Sequence, residues 1–386
     1  MLRYLTAGES HGQALTVTVE GLPAGLAVTK EQIQGELARR RLGFGRGPRQ
    51  RFEVDDIELL GGIRHGRTLG SPVSIMIRNT EWFRSDVWHE EMSPAPGKTK
   101  KPLTTPRPGH ADLTGMQKYG FDDARDVLER ASARETAARV AAGALAKLLL
   151  AELGTTVISH VVQLGSERVN TPVRPGTRDL ATIDDSPVRC FDKELESRMI
   201  TAIEDAAREG DSLGGVVEVL AYGVPVGLGS HVHWDRKLDG MLAQAILSIQ
   251  AVKGVEIGDG FDVAGRRGSA AHDAITWDDA QEKYLRESSL AGGTEGGMST
   301  GEVLVVRAAM KPLATLNRPT LKTVDVRTKE ETVSFKERTD VTAVPAMGVV
   351  AETMVALVLA REAQRKFGGD SLAEFVRNWR SFEESL

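Results

Sequence analysis

The chain has 386 residues, 41% of them apolar and 27% charged. That is enough to bury roughly 75% of the extended surface in a core without metal or disulfide staples, as one large unit or two fused ones. Lys and Arg total 49 against 54 Asp and Glu, a net charge of −5, which excludes a disordered tail and a chain that holds nucleic acid by bulk positive charge. A single cysteine, Cys190, excludes an intramolecular disulfide framework and a multi-cysteine metal site, and fits a reducing, cytoplasmic setting.

The opening MLRYLTAGESHGQ reads as no targeting segment, because the polar GESHG interrupts any signal-peptide core. Alternation in Ala14–Glu20 puts Leu15, Val17 and Val19 on one face and predicts a half-buried strand. Thr29 can cap a helix running through Gln32 to Arg41. Val73–Arg78 is a second strand. Residues 84–109 form a proline-rich segment, with five of the fifteen prolines between Ser93 and Pro108. That density suits neither a helix nor a central strand, and leaves a bare linker or a long ordered loop near a site. One long helix is expected from Asp123 to Leu153, with an alanine-rich face suited to close packing, including packing between subunits. A strand at Thr156–Leu164, a helix at Lys193–Glu209, a strand at Gly214–Tyr222 and a helix at Lys237–Val252 follow. Glu302–Ala308 is a strand and Pro345–Lys366 a helix, whose apolar run carries Glu352 at its middle and so reads as no membrane span. Strands and helices lack the close alternation of parallel crossover units, so the fold class is α+β. The run at 288–302 holds five glycines, which fits either positive-φ turns close to a ligand or a floppy surface loop.

Arg39 to Arg51 reads RRRLGFGRGPRQR, six arginines and no acid in thirteen residues. Guanidinium forks suit phosphate and carboxylate oxygens. A small polyanion site, a nucleic-acid contact and a solvated basic edge all remain open, although only Phe44 is there for base stacking. His11 in GESHG and His110 in RPGHAD lie in glycine-bearing turns, where each imidazole either bonds a nearby carbonyl or does acid–base work. His231 and His233 lack the carboxylate-rich spacing of a metal site. Gly97-Lys98-Thr99 imitates the end of a P-loop, but Met92 stands where the upstream glycine belongs. Gly43-x-Gly45 runs into Pro48 where a dinucleotide fingerprint needs glycine. A polyanion site with candidate proton donors is what the residues alone support.

Eight segments occur in one order over residues 8–346: GESHG, RRLGFGRG…RQ, RPGHAD, RASARETAARVAAGALAK, QAVKGVEIG, GGTEGGMSTGE, KPLATL and RTDVTAVP. In these the chain resembles the chorismate synthase family. The resemblance implies conversion of 5-enolpyruvylshikimate 3-phosphate into chorismate and phosphate by an anti-1,4 elimination that depends on reduced FMN with no net redox change. It implies a β-α-β sandwich-like fold with mostly antiparallel sheets, a single catalytic domain over 1–386 with room for an internal pseudo-duplication, and a cytoplasmic homotetramer with no nucleic-acid or membrane partner. NADPH enters only as a source of electrons for the flavin, and the lack of a separate reductase-like domain implies an external flavin reductant.

The same resemblance implies the site residues, and residues 39–51 are then expected to face a closed anionic pocket rather than bulk water. Arg40 and Arg46 match positions at the mouth of the substrate pocket, also described as contacts to the NADP phosphate, and Arg49, Arg107 and Arg134 match further anion contacts. The FMN positions fall on Arg130, Ala131, Ser132, Gln250, Ala251, Gly296, Lys311, Pro312, Leu313, Ala314, Thr315 and Arg338. Ala131 replaces the family's more familiar serine and Gln250 its common asparagine. His11 would protonate the departing phosphate, His110 would keep the reduced flavin in its required protonation state, and Asp340 would assist proton transfer near the flavin N5.

Overall fold

The computed structural model describes residues 1–47, 53–97, 99–169, 173–280, 282–318, 320–335 and 339–386. The first sheet contains β1 (Arg3–Ala7), β2 (Ala14–Glu20), β3 (Ile57–Gly61) and β4 (Val73–Arg78) in the order β1-β2-β4-β3, all antiparallel. The second contains β5 (Thr156–Leu164), β6 (Glu167–Arg168), β7 (Gly215–Tyr222), β8 (Val252–Ile257) and β9 (Leu304–Met310) in the order β8-β9-β7-β5-β6, again antiparallel. The helices used below are α1 (Lys30–Arg41), α2 (Asp86–Glu91), α3 (Asp112–Tyr119), α4 (Arg125–Ala131), α5 (Thr136–Ala151), α6 (Lys193–Glu209), α7 (Leu238–Leu247), α8 (Val344–Phe367) and α9 (Leu372–Glu383).

Period-two alternation turns Leu15, Val17, Val19, Ile75 and Ile77 inward from the first sheet. Val217, Val219, Ala221, Leu304 and Val306 turn inward from the second. Helix α5 packs on the first sheet, α8 packs on the second, and the two helices pack on each other. The result is the expected sandwich of sheet, helices and sheet, a mixed α and β fold. α1 starts as its sequence predicts: Thr29 accepts from the Gln32 amide at 3.2 Å, and the Gln32 side chain accepts from the Thr29 amide at 2.8 Å. The contact between α5 and α8 requires Gly143, since a Cβ there would lie 2.2 Å from the Thr353 Cβ.

Several expectations are corrected. The helix expected over 123–153 is two helices, because Ser132 adopts an extended backbone (φ −62°, ψ 142°) and its hydroxyl accepts from the Arg134 amide. The break re-aims the chain so that Arg134 and Glu135 point inward, buried. The alanine-rich face of α5 is spent inside the subunit, with Ala137, Ala138, Ala141 and Ala142 wholly buried, so it offers no surface to a second copy. The helix expected to Val252 stops at Leu247, and Ala251 turns the chain with φ +65° into β8. His231 and His233 lie in an irregular stretch before residues 234–236 and not on a strand. The glycine-rich run is an ordered hairpin, Thr294–Glu295 with Met298–Ser299. Gly293 there has φ +77°, and a Cβ would lie 2.5 Å from the Val303 carbonyl oxygen, which excludes the floppy reading.

α8 is long and apolar enough to cross a membrane, yet it is buried along almost its whole length. Glu352 at its centre is wholly buried and accepts from Arg39 (2.7 and 3.0 Å), Lys147 (3.0 Å), Arg189 (3.1 Å) and Ser159 (2.7 Å). Burial opposes ionisation of this carboxyl, but the Arg39, Lys147 and Arg189 cations outweigh it and hold it below the ordinary carboxylate range. A carboxylate so depressed stabilises the fold in full above its unfolded pKa of about 4.3, and that contribution fades as pH falls towards the folded value. Glu352→Ala, which strands buried cations, is expected to cost about 3–5 kcal/mol. It should also flatten the loss of stability on acidification below about pH 4.3. Urea titrations at several pH values check both, and an unchanged midpoint at neutral pH would contradict the assignment.

Candidate active site

His11 lies in the loop between β1 and β2. Glu129 of α4 takes its backbone amide at 2.8 Å (Oε2) and its Nδ1 at 2.9 Å (Oε1). The imidazole stacks on Trp88 of α2, with ring centroids 3.9 Å apart and planes 18° apart. Arg125 sits over the same indole at 5.2 Å and donates to Glu129 at 3.0 Å. Trp88 belongs to the proline-rich 84–109 segment, which thus touches His11. Beside this loop, the Arg130 guanidinium donates to the carbonyls of Gly8 (3.2 Å) and Thr6 (3.0 Å), and Ser132 donates to the Ser10 hydroxyl at 3.2 Å.

His110 immediately precedes α3, which packs on α4. Gly115 permits the approach, since a Cβ there would lie 2.4 Å from Val127. Wholly buried Asp112 pairs with His110 Nδ1 and accepts from Arg107 Nε at 2.9 Å. Burial pushes the Asp112 carboxyl up, but His110 and Arg107 more than offset it and hold the group far below the usual range. Arg107 Nη1 donates to Thr315 Oγ1 at 2.9 Å, and its guanidinium stacks on Phe335 at 5.0 Å. Lys311 bonds the Gly109 carbonyl through its ammonium and the Ala251 carbonyl through its amide at 3.0 Å. Leu313 accepts from Ser212 at 2.9 Å, Pro312 runs beside Gly214, and Ala314 lies beside Gly109. Residues 107–110, 251 and 311–315 are therefore one cluster.

The arginines of 39–47 divide. Arg39 goes to Glu352, Glu36 and Asp184 in the core, which corrects the expectation that the whole run faces an anion pocket. Arg40 and Arg134 converge on Asp55, a wholly buried residue with φ +53°. Arg46 pairs with Asp340 at 3.0 Å, while Gly47 donates its amide to the same carboxylate at 2.6 Å. Arg134 also pairs with buried Glu53 at 3.4 Å, so three cations and three carboxylates meet here. Burial, followed by repulsion from Arg134 and Arg46, pushes the Arg40 guanidinium down to about 10 despite Asp55. Among the described residues, Arg40 Nε and Arg46 Nη1 have no hydrogen-bond acceptor although they are buried. Buried donors left unspent favour an incoming anion.

Gln250 donates to Glu135 at 3.1 Å, and its buried Oε1 has no donor among the described residues. It lines a cleft of about 350 Å³ with Tyr4, Thr6, Arg130, Glu135, Arg139 and Ser248, in which Glu135 pairs with Arg139 at 2.9 Å and Arg130 at 3.7 Å. Gly296 stands at the turn of the 294–299 hairpin; among the described residues, only Met298 and His231 come within 4 Å of where its Cβ would lie, so it is apart from the other candidates. Arg49 and Arg338 lie outside the described residues. Sequence reasoning missed Asp55, Glu129 and Trp88, all partners from distant segments. Asp112, two residues after His110, was within reach of a search for local histidine–carboxylate pairs.

A sheet–helix–sheet fold with a buried arginine cluster that keeps unspent donors and two carboxylate-held histidines suits an enzyme acting on a small polyanion. The family model described as chorismate synthase matches residues 2–363. The chain is 58% identical to the chorismate synthase of Thermobifida fusca, over 100% of this chain and 99% of that one. It is 57% identical to that of Streptomyces coelicolor, over 100% and 98%. A crystal structure of chorismate synthase superposes with a TM-score of 0.79 at 40% identity, covering 100% of this chain and 98% of that one. The chain belongs to the chorismate synthase family. It is a lyase that converts 5-enolpyruvylshikimate 3-phosphate to chorismate, in a family that depends on FMN.

Relief of the arginine repulsion by an anion should be measurable without turnover. Millimolar inorganic phosphate is expected to raise the melting temperature, by the equivalent of about 2.7 kcal/mol at a hundredfold excess over its Kd. The rise should shrink in Arg46→Ala. Equal melting temperatures with and without phosphate would contradict an anion site there.

Proposed function

We propose that 5-enolpyruvylshikimate 3-phosphate binds at the Arg40–Arg46–Arg134 cluster, with Arg107 and Arg49 as further anion contacts, next to reduced FMN. The observation that carries this reading is the pair of buried, unspent donors on Arg40 and Arg46. The substrate brings one phosphate and two carboxylates, and desolvated guanidinium groups bind such anions tightly.

The FMN positions fit a polar group that brings both donors and acceptors. Gln250 leaves a buried oxygen without a donor among the described residues, in a cleft that presents Arg130 and Arg139 with Glu135 between them. Arg130, Ala131, Ser132, Gln250, Ala251, Lys311–Thr315 and Arg338 would hold the cofactor, while Gly296 lies apart from this group within the subunit. The chemistry supplied by reduced FMN, when bound, is an electron-rich ring that eases loss of phosphate and hydrogen with no net redox change.

The protein's own residues orient the substrate and handle protons. His11 delivers a proton to the departing phosphate. His110, held by Asp112 beside Lys311 and Thr315, maintains the proton balance of the reduced flavin. Asp340 has both carboxylate oxygens engaged, by Arg46 and by the Gly47 amide. Drawing Arg46 towards the substrate would release one of them for proton transfer. His11→Ala and His110→Ala are each expected to lose about 10²–10⁴ in kcat, with smaller changes in binding. Anaerobic stopped-flow with reduced FMN and a phosphate readout makes the measurement. Wild-type phosphate release in both variants would reject the acid–base roles.

We further propose a cytoplasmic homotetramer that draws electrons for its flavin from an external reductant, with NADPH only as their ultimate source, and without nucleic-acid or membrane partners. The resemblance supports this; the buried alanine face of α5 does not contribute. Sedimentation is expected at roughly four times 41.7 kDa, and a fully active monomer would count against it.

A further inference from the structure

The reading of His11 as the acid leaves open which of its nitrogens carries the exchanging proton and what fixes that choice. Glu129 meets the same residue twice, through the His11 amide and through Nδ1. It is almost wholly buried. Its carboxyl is held below its ordinary value, since the bonds from His11 and the charge of Arg125 outweigh burial. An ionised carboxylate only accepts, so the hydrogen between it and the imidazole belongs to Nδ1. Among the described residues, Glu129 and Arg125 from α4, Trp88 from α2 and Glu81, whose Oε2 lies 3.8 Å from Nε2, face His11. Trp88 fixes the ring plane by stacking, so the imidazole is constrained in both position and tilt.

We propose that Glu129 is a positioning residue for the elimination: by taking the Nδ1 hydrogen it leaves Nε2 as the nitrogen that delivers the proton to the departing phosphate. The proposal rests on the reading of His11 as that acid. In balanced terms, the imidazolium gives its Nε2 proton to the phosphate as the C–O bond breaks, and ends as the neutral Nδ1–H tautomer already bonded to Glu129. The ring need not rotate or change partners.

Glu129→Gln distinguishes this role from simple packing. With its oxygen on the His11 backbone amide, the glutamine turns its NH2 towards Nδ1 and gives up the bond from Arg125, a partly exposed side chain that can turn to solvent. Nδ1 then has to accept, and the hydrogen moves to Nε2. Nitrogen-15 NMR of the full-length, histidine-labelled protein, recorded at a pH where the His11 ring is neutral, reads the tautomer, with the His11 signal assigned by its loss in His11→Asn. The expected result is Nδ1–H in the wild type and Nε2–H in Glu129→Gln. Anaerobic turnover with reduced FMN should show a kcat loss of about 10²-fold or more in Glu129→Gln, with KM little changed. Glu129→Asp, which keeps the charge, should retain the Nδ1–H signal and recover part of kcat. A wild-type Nε2–H signal overturns the proposal without any variant, and so does a Glu129→Gln enzyme that keeps Nδ1–H or loses less than threefold in kcat. Wild-type turnover by His11→Asn overturns the acid reading itself; a loss in His11→Asn with none in Glu129→Gln overturns the role of Glu129 alone.

Discussion

Glu352 sits in the middle of the most apolar helix, and the groups that neutralise it come from α1, α5, β5 and the segment before α6. A carboxylate buried so deeply is tolerable only while all of these partners stay in place, so it ties the helical layer to the second sheet. Its bond to Arg39 also fixes the rotation of α1 about its own axis. Successive residues on a helix point about 100° apart. With Arg39 committed to the core, Arg40 and Arg41 are turned towards Asp55. The ion cluster that stabilises the fold and the arginine cluster proposed to take the anion therefore share the last turn of one helix.

Around the site, carboxylates hold cations and imidazoles in place: Glu129 with His11, Asp112 with Arg107 and His110, Asp55 with Arg40 and Arg134, and Asp340 with Arg46. Fixing the geometry in advance means little reorganisation when charge shifts during reaction. Buried donors stay unspent on Arg40 and Arg46, as one does on Arg125 beside Glu129, and the former pair supports the proposed seat of the substrate's charge. α3 and α4 contribute the partners of the two histidines, Asp112 and Glu129, and their close packing at Gly115 couples the two positions.

Regular elements with a clear period were legible in the sequence. β2, β4, β5, α6 and the capped start of α1 follow from alternation, helical spacing and Thr29. The break at Ser132 was not, because alanine and arginine on either side favour helix and only the hydroxyl's local bond to Arg134 overrides them. The end of α7 was hidden for a related reason: no glycine or proline marks the turn, which falls on Ala251 at positive φ. The histidines and arginines of the site stood out by residue type and glycine context. Their partners did not, since Glu129 is 118 residues from His11 and Asp55 is 79 from Arg134. Such pairings exist only once the two sheets and the α3–α4 pair are assembled. The substrate and the flavin came from the resemblance; composition and spacing alone stopped at a polyanion.

In the proposed reaction the site eliminates phosphate from its substrate and the flavin is unchanged at the end of each cycle. The most direct measurement is an anaerobic single turnover with chemically reduced FMN, following phosphate, chorismate and the flavin spectrum in one experiment. The account predicts one phosphate per chorismate and a flavin that returns fully reduced. Oxidised flavin accumulating in step with product, or chorismate without phosphate, would contradict it.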